Sequence, residues 1–110
     1  MANDVKSGPI EKIDKTTSVE KMVFIDPSAT IGKDCIIGPM TALLKDCVVG
    51  NNVVIEAGCI ITNGIKISDD VVIRAGSVVI HDCIKGKVYA GNPAKQIGKR
   101  KEVQNNGSIP

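Results

Sequence analysis

The sequence predicts an all-β fold, a three-sided prism of short strands and tight corners that is three to four coils long. Three observations predict it. An aliphatic residue recurs at every sixth position from Ile25 to Val79. Four positions after each of these aliphatic residues comes a small or β-branched residue. The residues between them are rich in Gly, Asp and Asn, which tolerate the backbone dihedrals of turns.

The spacing of the apolar positions is what points to a coiled architecture. It alternates between four and two, whereas a helix needs 3.6 and a flat strand needs two, so a strand followed by a corner fits better. Three corners complete one coil, which stacks each residue on the one three hexads away. A chance alternation in a Val- and Ile-rich sandwich is the alternative. The aliphatic set is Ile25, Ile31, Ile37, Leu43, Val49, Ile55, Ile61, Ile67, Ile73 and Val79; the second set is Ala29, Cys35, Thr41, Cys47, Val53, Cys59, Ile65, Val71, Ser77 and Cys83.

This pattern resembles the hexapeptide repeat of the left-handed parallel β-helix family, over residues 25 to 84. The register also runs backward through Val19 and Ile13 in hexads that lack glycine, and whether these belong to the prism stays open. It fails at Lys85, where we expect the chain to leave the prism. The predicted organisation is a polar N-terminal arm (residues 1–12), a left-handed β-helix domain (13–84) and a C-terminal exit segment with a tail (85–110).

Composition excludes several function classes. A chain of 110 residues forms one domain at most. A net charge of +2 and 2% aromatic residues give neither an electrostatic footprint for nucleic acid or membrane nor a platform for base stacking. The first residues lack the apolar segment of a signal peptide, so we expect a cytoplasmic protein.

The four cysteines all occupy the second inward position of a hexad: Cys35, Cys47, Cys59 and Cys83. Only Cys47 and Cys83 share a face of the prism, and two coils place their backbones about 10 Å apart, beyond the reach of a disulfide. We predict buried, reduced thiols. No metal site is expected, because the chain has no CxxC pair and a single histidine.

The outward residue of each hexad is unusually apolar, which favours self-association. We expect oligomerisation through the apolar columns, with the first as the main interface, and the resemblance implies a homotrimer. The alternative is that outward Val and Ile reflect β-propensity alone. The three columns are Ile36, Val54 and Val72; Ala42, Ile60 and Val78; and Thr30, Val48, Lys66 and Ile84.

The end of the repeat carries a more specific resemblance. Residues 75–79 (AGSVV), 80–82 (IHD) and 89–95 (YAGNPAK) look like the C-terminal signature of hexapeptide acetyltransferases that act on sugars, chloramphenicol and serine. This resemblance implies acetyl-CoA as acyl donor, bound between two protomers, and a small-molecule acceptor such as a sugar whose hydroxyl or amine is acetylated. The identity of the acceptor is not readable from the residues.

A corner with very small side chains also points to this surface as the cofactor site. Ala57 stacks with Ala75, and Gly58 with Gly76, because each pair is separated by three hexads. A pantetheine arm fits such a strip against backbone groups. We expect it to run toward the exit segment, where Asn92 and Lys95 complete the cofactor site. The alternative is that these four are merely easy turn residues.

The sequence departs from the family in the groups that perform chemistry. Family members usually carry Thr-Lys where this chain has Ile80-His81, so a phosphate-pairing ammonium is missing, and His81 or the cations Lys95, Lys99, Arg100 and Lys101 are the substitutes. The family's general base is an upstream His, and residues 1 to 80 contain none. The candidate catalytic residues are His81, beside Asp82, and Glu56, which an exposed ion pair with Arg74 would also explain.

Two other functions stay open. One is a non-catalytic scaffold or binding module that kept the fold and lost the base. The other is a metal enzyme resembling γ-class carbonic anhydrases, which draws three His from two protomers. One His per chain supplies a His-only site only if three copies of His81 meet on a three-fold axis.

Overall fold

The structure, a computed structural model, describes residues 12–101, which coil into the predicted parallel prism. One of the three walls of the prism contains four parallel strands, one for each of four coils. Partners in neighbouring coils lie three hexads apart, as with Ile36 and Val54. The strands are β1 (Ser18–Val19), β2 (Phe24–Ile25), β3 (Thr30–Ile31), β4 (Ile36–Ile37), β5 (Ala42–Leu43), β6 (Val48–Val49), β7 (Val54–Ile55), β8 (Ile60–Ile61), β9 (Lys66–Ile67), β10 (Val72–Ile73), β11 (Val78–Val79), β12 (Lys87–Gly91) and β13 (Ala94–Lys99).

Three sheets form the walls and three rows of corners join them. Sheet 1 has the order β1-β4-β7-β10-β12-β13, sheet 2 the order β11-β8-β5-β2, and sheet 3 the order β3-β6-β9. We name the corners between sheets 1 and 2 corner A (residues 20–22, 38–40, 56–58 and 74–76). Corner B joins sheets 2 and 3 (26–28, 44–46, 62–64 and 80–82). Corner C joins sheets 3 and 1 (14–16, 32–34, 50–52, 68–70 and 84–86).

The inward positions predicted from the period of six are confirmed. All aliphatic residues of the first set are at most 3% exposed, and the second set is at most 6% exposed. The second set also supplies donors to the corner of the next coil: the thiols of Cys35, Cys47 and Cys59 each reach a backbone carbonyl at 3.1 Å. Thr41 makes the same contact through its hydroxyl at 3.2 Å. Small polar side chains therefore suit this position because they satisfy a corner carbonyl from inside the prism.

The last coil is shorter than the others by two positions, which corrects the predicted register. Val79 still pairs with Ile61, three full hexads away, but Cys83 bridges Ile67, where Lys85 would lie in a full coil. The prediction that Cys83 lies above Cys47 is therefore wrong. Cys83 stays inward because sides alternate with a period of two, so a loss of two positions preserves its orientation.

We expected the chain to leave the prism at Lys85, but it does not. β12 continues sheet 1 as its fifth strand with the same shortened offset, pairing Tyr89 with Ile73. Tyr89 is 7% exposed, and its hydroxyl accepts a hydrogen bond from the Ile84 amide at 2.7 Å. The ring thus closes the upper end of the core, and the chain then turns back antiparallel as β13.

Two of the outward columns also differ from the prediction. Val54 and Val72 are only 8% and 0% exposed and form a second buried cluster with Val88, so the expectation that they are open to a partner is wrong, whereas Ile36 of the same column is 47% exposed. In the third column Asp82, not Ile84, lies beside Lys66, whose amide donates to the Asp82 carboxylate at 2.9 Å. The shortened coil causes this second difference.

At the lower end the repeat extends below Ile25. Ile13 bridges Ile31, and β1 pairs with β4. Of the predicted arm only Lys12 is described; residues 1–11 and the tail beyond residue 101 lie outside the described residues. No helix in the described part of the chain is long and apolar enough to cross a membrane.

Candidate functional site

Corner A carries a strip of bare backbone across its upper two coils. Ala57, Gly58, Ala75 and Gly76 are all exposed, and the Gly76 amide donates to the Ala57 carbonyl at 2.9 Å, as the stacking predicted. A Cβ on Gly76 would meet nothing within 4 Å. One coil lower, Met40 holds the same left-handed position with a side chain that is 63% exposed, so the strip begins above it.

Glu56 fixes the backbone at the upper end of this strip. Its Oε1 accepts a hydrogen bond from Arg74 Nε at 3.2 Å and another from the Ala75 amide at 2.9 Å. The expected ion pair is confirmed, with both side chains partly exposed. The same carboxylate oxygen therefore ties one corner of the coil below to the Ala75 backbone above.

Ser77 ties the exit hairpin to the strip, a role that the sequence analysis missed. Its hydroxyl is buried, donates to the Arg74 carbonyl at 2.7 Å and accepts from the Gly91 amide at 3.1 Å. Asn92 follows Gly91 directly and is exposed at the hairpin tip. The only available signal was a hydroxyl in the inward column of the last full coil.

The basic end of the predicted cofactor site lies on β13. Lys95 pairs with Ala90 of β12 and is exposed. The Arg74 amide donates to the Tyr89 carbonyl at 2.9 Å, so β12 runs along the top of corner A. The hairpin therefore places Asn92 and Lys95 at the upper end of the strip.

His81 lies elsewhere. It is exposed at corner B, beyond β11, and the four residues of chain between it and Gly76 separate the two by roughly 15 Å. One Asp82 oxygen accepts a hydrogen bond from the Lys66 amide in sheet 3. Within the described chain, no hydrogen bond joins Asp82 to His81. A single chain does not bring His81 into the strip.

The four cysteines are buried and free, as predicted. Burial raises the pKa of each thiol above its ordinary value, and for Cys83 the pKa rises to about 12. Within residues 12–101, no three His, Cys, Asp or Glu side chains group closely enough to hold a metal ion. The thiols thus act as small buried donors.

The profile of the bacterial transferase hexapeptide family (six repeats) matches residues 28–63. A maltose O-acetyltransferase from Clostridium difficile 630 is 30% identical over 80% of this chain and 68% of its own, with a TM-score of 0.56. No curated protein matches the sequence significantly.

Two more distant structures share the fold. A variant of perosamine N-acetyltransferase from Caulobacter crescentus, solved with CoA and GDP-perosamine, is 23% identical with a TM-score of 0.63. Serine acetyltransferase from Neisseria gonorrhoeae, solved with serine, is 22% identical with a TM-score of 0.73. They align to 79% and 78% of this chain, which spans 53% and 39% of theirs. The likeness confirms the left-handed β-helix expected from the repeat.

Proposed function

Because the chain belongs to the hexapeptide-repeat transferase family, we propose that it transfers an acetyl group from acetyl-CoA to a hydroxyl or amine of a small molecule such as a sugar. The observation that carries the proposal is the bare strip at corner A, which ends beneath the exit hairpin. The perosamine enzyme, which has the same fold, was solved with CoA. Maltose, perosamine and serine are the acceptors in the names of these relatives.

The strip supplies the features that a thioester cofactor needs. Exposed Ala57, Gly58, Ala75 and Gly76 let a narrow pantetheine arm lie against the backbone. Lys95 adds a cation for the phosphates at the hairpin end, with the Asn92 amide beside it. This arrangement supports cofactor binding within one chain, but it leaves the reacting end without a base.

We infer that a homotrimer supplies the missing base. Sheet 2, between corners A and B, is an apolar wall that is left open: Phe24 is 45% and Ile60 is 40% exposed. If three copies turn this wall toward a three-fold axis, corner A of each copy meets corner B of its neighbour. The partner subunit's His81 then lies beside the strip.

The chemistry follows from that placement. A neutral His81 nitrogen takes the proton of the acceptor hydroxyl or amine while the acceptor atom attacks the thioester carbonyl. The tetrahedral intermediate collapses with loss of the CoA thiolate, which takes up the proton. We place the enzyme in a reducing compartment such as the cytoplasm, since its cysteines are all unpaired.

Acetyl-CoA binding to an Ala75→Arg variant tests the site. Lysine occupies the equivalent middle position of other corners at Lys21, Lys33 and Lys45, so a long cationic side chain is compatible with the fold there. Pro27→Arg, at the same position of corner B, is the matched control. By calorimetry we expect wild type and Pro27→Arg to bind acetyl-CoA and Ala75→Arg to lose binding. No binding by the wild type at millimolar ligand would refute the proposed function.

A further inference from the structure

A second surface, on the outside of sheet 3, has the features of a binding site that the acetyl-transfer function does not use. A cavity of about 290 Å³ opens beside corner C. Its lining includes Val48, Gly50, Lys66, Ser68, Asp69 and Lys85. Sheet 1 separates corner C from the strip at corner A, a width of six extended residues or roughly 20 Å.

The shortened last coil is what brings Lys85 into this cavity. A coil of full length would put Lys85 above Ile67, inside the core. The shortened offset instead puts Cys83 there and carries Lys85 out to corner C. It therefore joins Lys66, an exposed outward residue of β9, in one lining.

Gly50 leaves room for the Asp69 side chain at the edge of the cavity. A Cβ at this position would collide with Asp69 Oδ1, because the Asp69 side chain folds under the corner to accept the Asn51 amide at 2.7 Å. One oxygen of the nearest carboxylate is thus committed to the backbone. The cavity is bordered by Val48, Gly50 and the two lysines.

The two lysines outnumber the single carboxylate of the cavity lining, that of Asp69, and the Asp82 carboxylate bonds to the Lys66 backbone amide. Neither the Lys66 nor the Lys85 ammonium group has an ion-pair partner among residues 12–101, and the Ser68 hydroxyl makes no hydrogen bond there. Residues 83–101 contain no Asp or Glu. In the same hairpin Lys87 pairs directly with Lys99, an arrangement of like charges that costs stability.

We propose that this cavity binds the phosphate group of a small molecule, at a site separate from corner A. Two ammonium groups and a hydroxyl provide charge-assisted and neutral donors for phosphate oxygens. The half-exposed Val48 offers apolar contact for the rest of the molecule.

The test is calorimetry with inorganic pyrophosphate at constant ionic strength. We compare wild type, the double variant Lys66→Gln/Lys85→Gln, and the control Lys21→Gln/Lys45→Gln, which removes the same charge at corners A and B. The expected result is binding by wild type and control, and affinity at least about tenfold weaker in the cavity variant. No binding by the wild type, or equal loss in both variants, would overturn the proposal.

Two further arms keep this result distinct from the acetyl-CoA site and from simple charge binding. Acetyl-CoA binding should be the same in wild type and in the cavity variant, and its loss in that variant would overturn the claim of separate sites. Malonate should bind more weakly than pyrophosphate. Equal affinities would overturn the preference for phosphate.

Discussion

The buried hydroxyl of Ser77 accepts the amide hydrogen of Gly91 at 3.1 Å and thereby joins corner A to the exit hairpin. These residues are 14 positions apart in the chain. The same hydroxyl donates to the Arg74 carbonyl at 2.7 Å, so it is engaged on both sides. This side chain therefore adds a tie between the hairpin and the strip to the backbone pairing of β12 with β10.

Replacing Ser77 should therefore affect both stability and cofactor binding. Ser77→Ala leaves the Gly91 amide and the Arg74 carbonyl without this partner, which should lower the free energy of unfolding by about 1–3 kcal/mol. Ser77→Thr should retain both contacts, because Thr41 occupies the equivalent position two coils below. Urea denaturation and acetyl-CoA calorimetry measure the two effects. Equal behaviour of the two variants would contradict the assigned role.

Mixed trimers test whether His81 acts across an interface. Ala75→Arg chains have a blocked strip and an intact His81, and His81→Ala chains have the reverse, so each alone should be inactive. Co-expression in equal amounts should restore about one quarter of the wild-type interfaces by random assembly. Acetyl transfer by the purified mixture is the measurement. A mixture as inactive as its parents would show that the base does not come from a neighbour.

Sheet 2, which is open, and the covered part of sheet 1 should respond differently to an introduced lysine. Ile60→Lys should dissociate the oligomer without unfolding the chain, because Ile60 is 40% exposed. Val54→Lys buries a charge in the second cluster and should unfold the protein, at a cost of several kcal/mol. Light scattering and circular dichroism separate the outcomes. Dissociation by Ile36→Lys but not by Ile60→Lys would move the interface to sheet 1.

Glu56→Gln distinguishes a structural carboxylate from a catalytic base. A glutamine carbonyl still accepts the hydrogen bonds that Glu56 Oε1 receives from Arg74 and Ala75. We expect kcat to stay within about twofold of wild type, whereas loss of a general base costs about 100-fold or more. Steady-state kinetics with the acceptor decide the matter. A loss of that size with unchanged acetyl-CoA affinity would return Glu56 to the catalytic site.

Cys83 should make stability depend on alkaline pH. Its pKa rises from 9.0 to about 12 because burial penalises the thiolate, so the folded chain keeps a proton that the unfolded chain releases. Its contribution to stability is fully present below pH 9 and is lost as pH rises toward about 12. Denaturation of wild type and Cys83→Val across this range should show a flatter decline for the variant. Identical slopes would argue against a buried thiol.

Much of the site could be placed from the sequence because the coil repeats. A separation of three hexads was enough to stack Ala57 under Ala75 and to pair Glu56 with Arg74. The same rule misplaced Cys83 and Ile84, because nothing in the local pattern marks the loss of two positions after Val79. That loss is visible only as the bridge from Cys83 to Ile67.

The sequence by itself determined which residues face inward, since the alternation of sides and the turn preferences of the corners are local properties of the chain. Only the tertiary structure decided the length of the last coil, the burial of Val54 and Val72, and the tie between Ser77 and Gly91. These features depend on contacts between segments distant in sequence, whose energies compete with the repeat and carry no periodic signal.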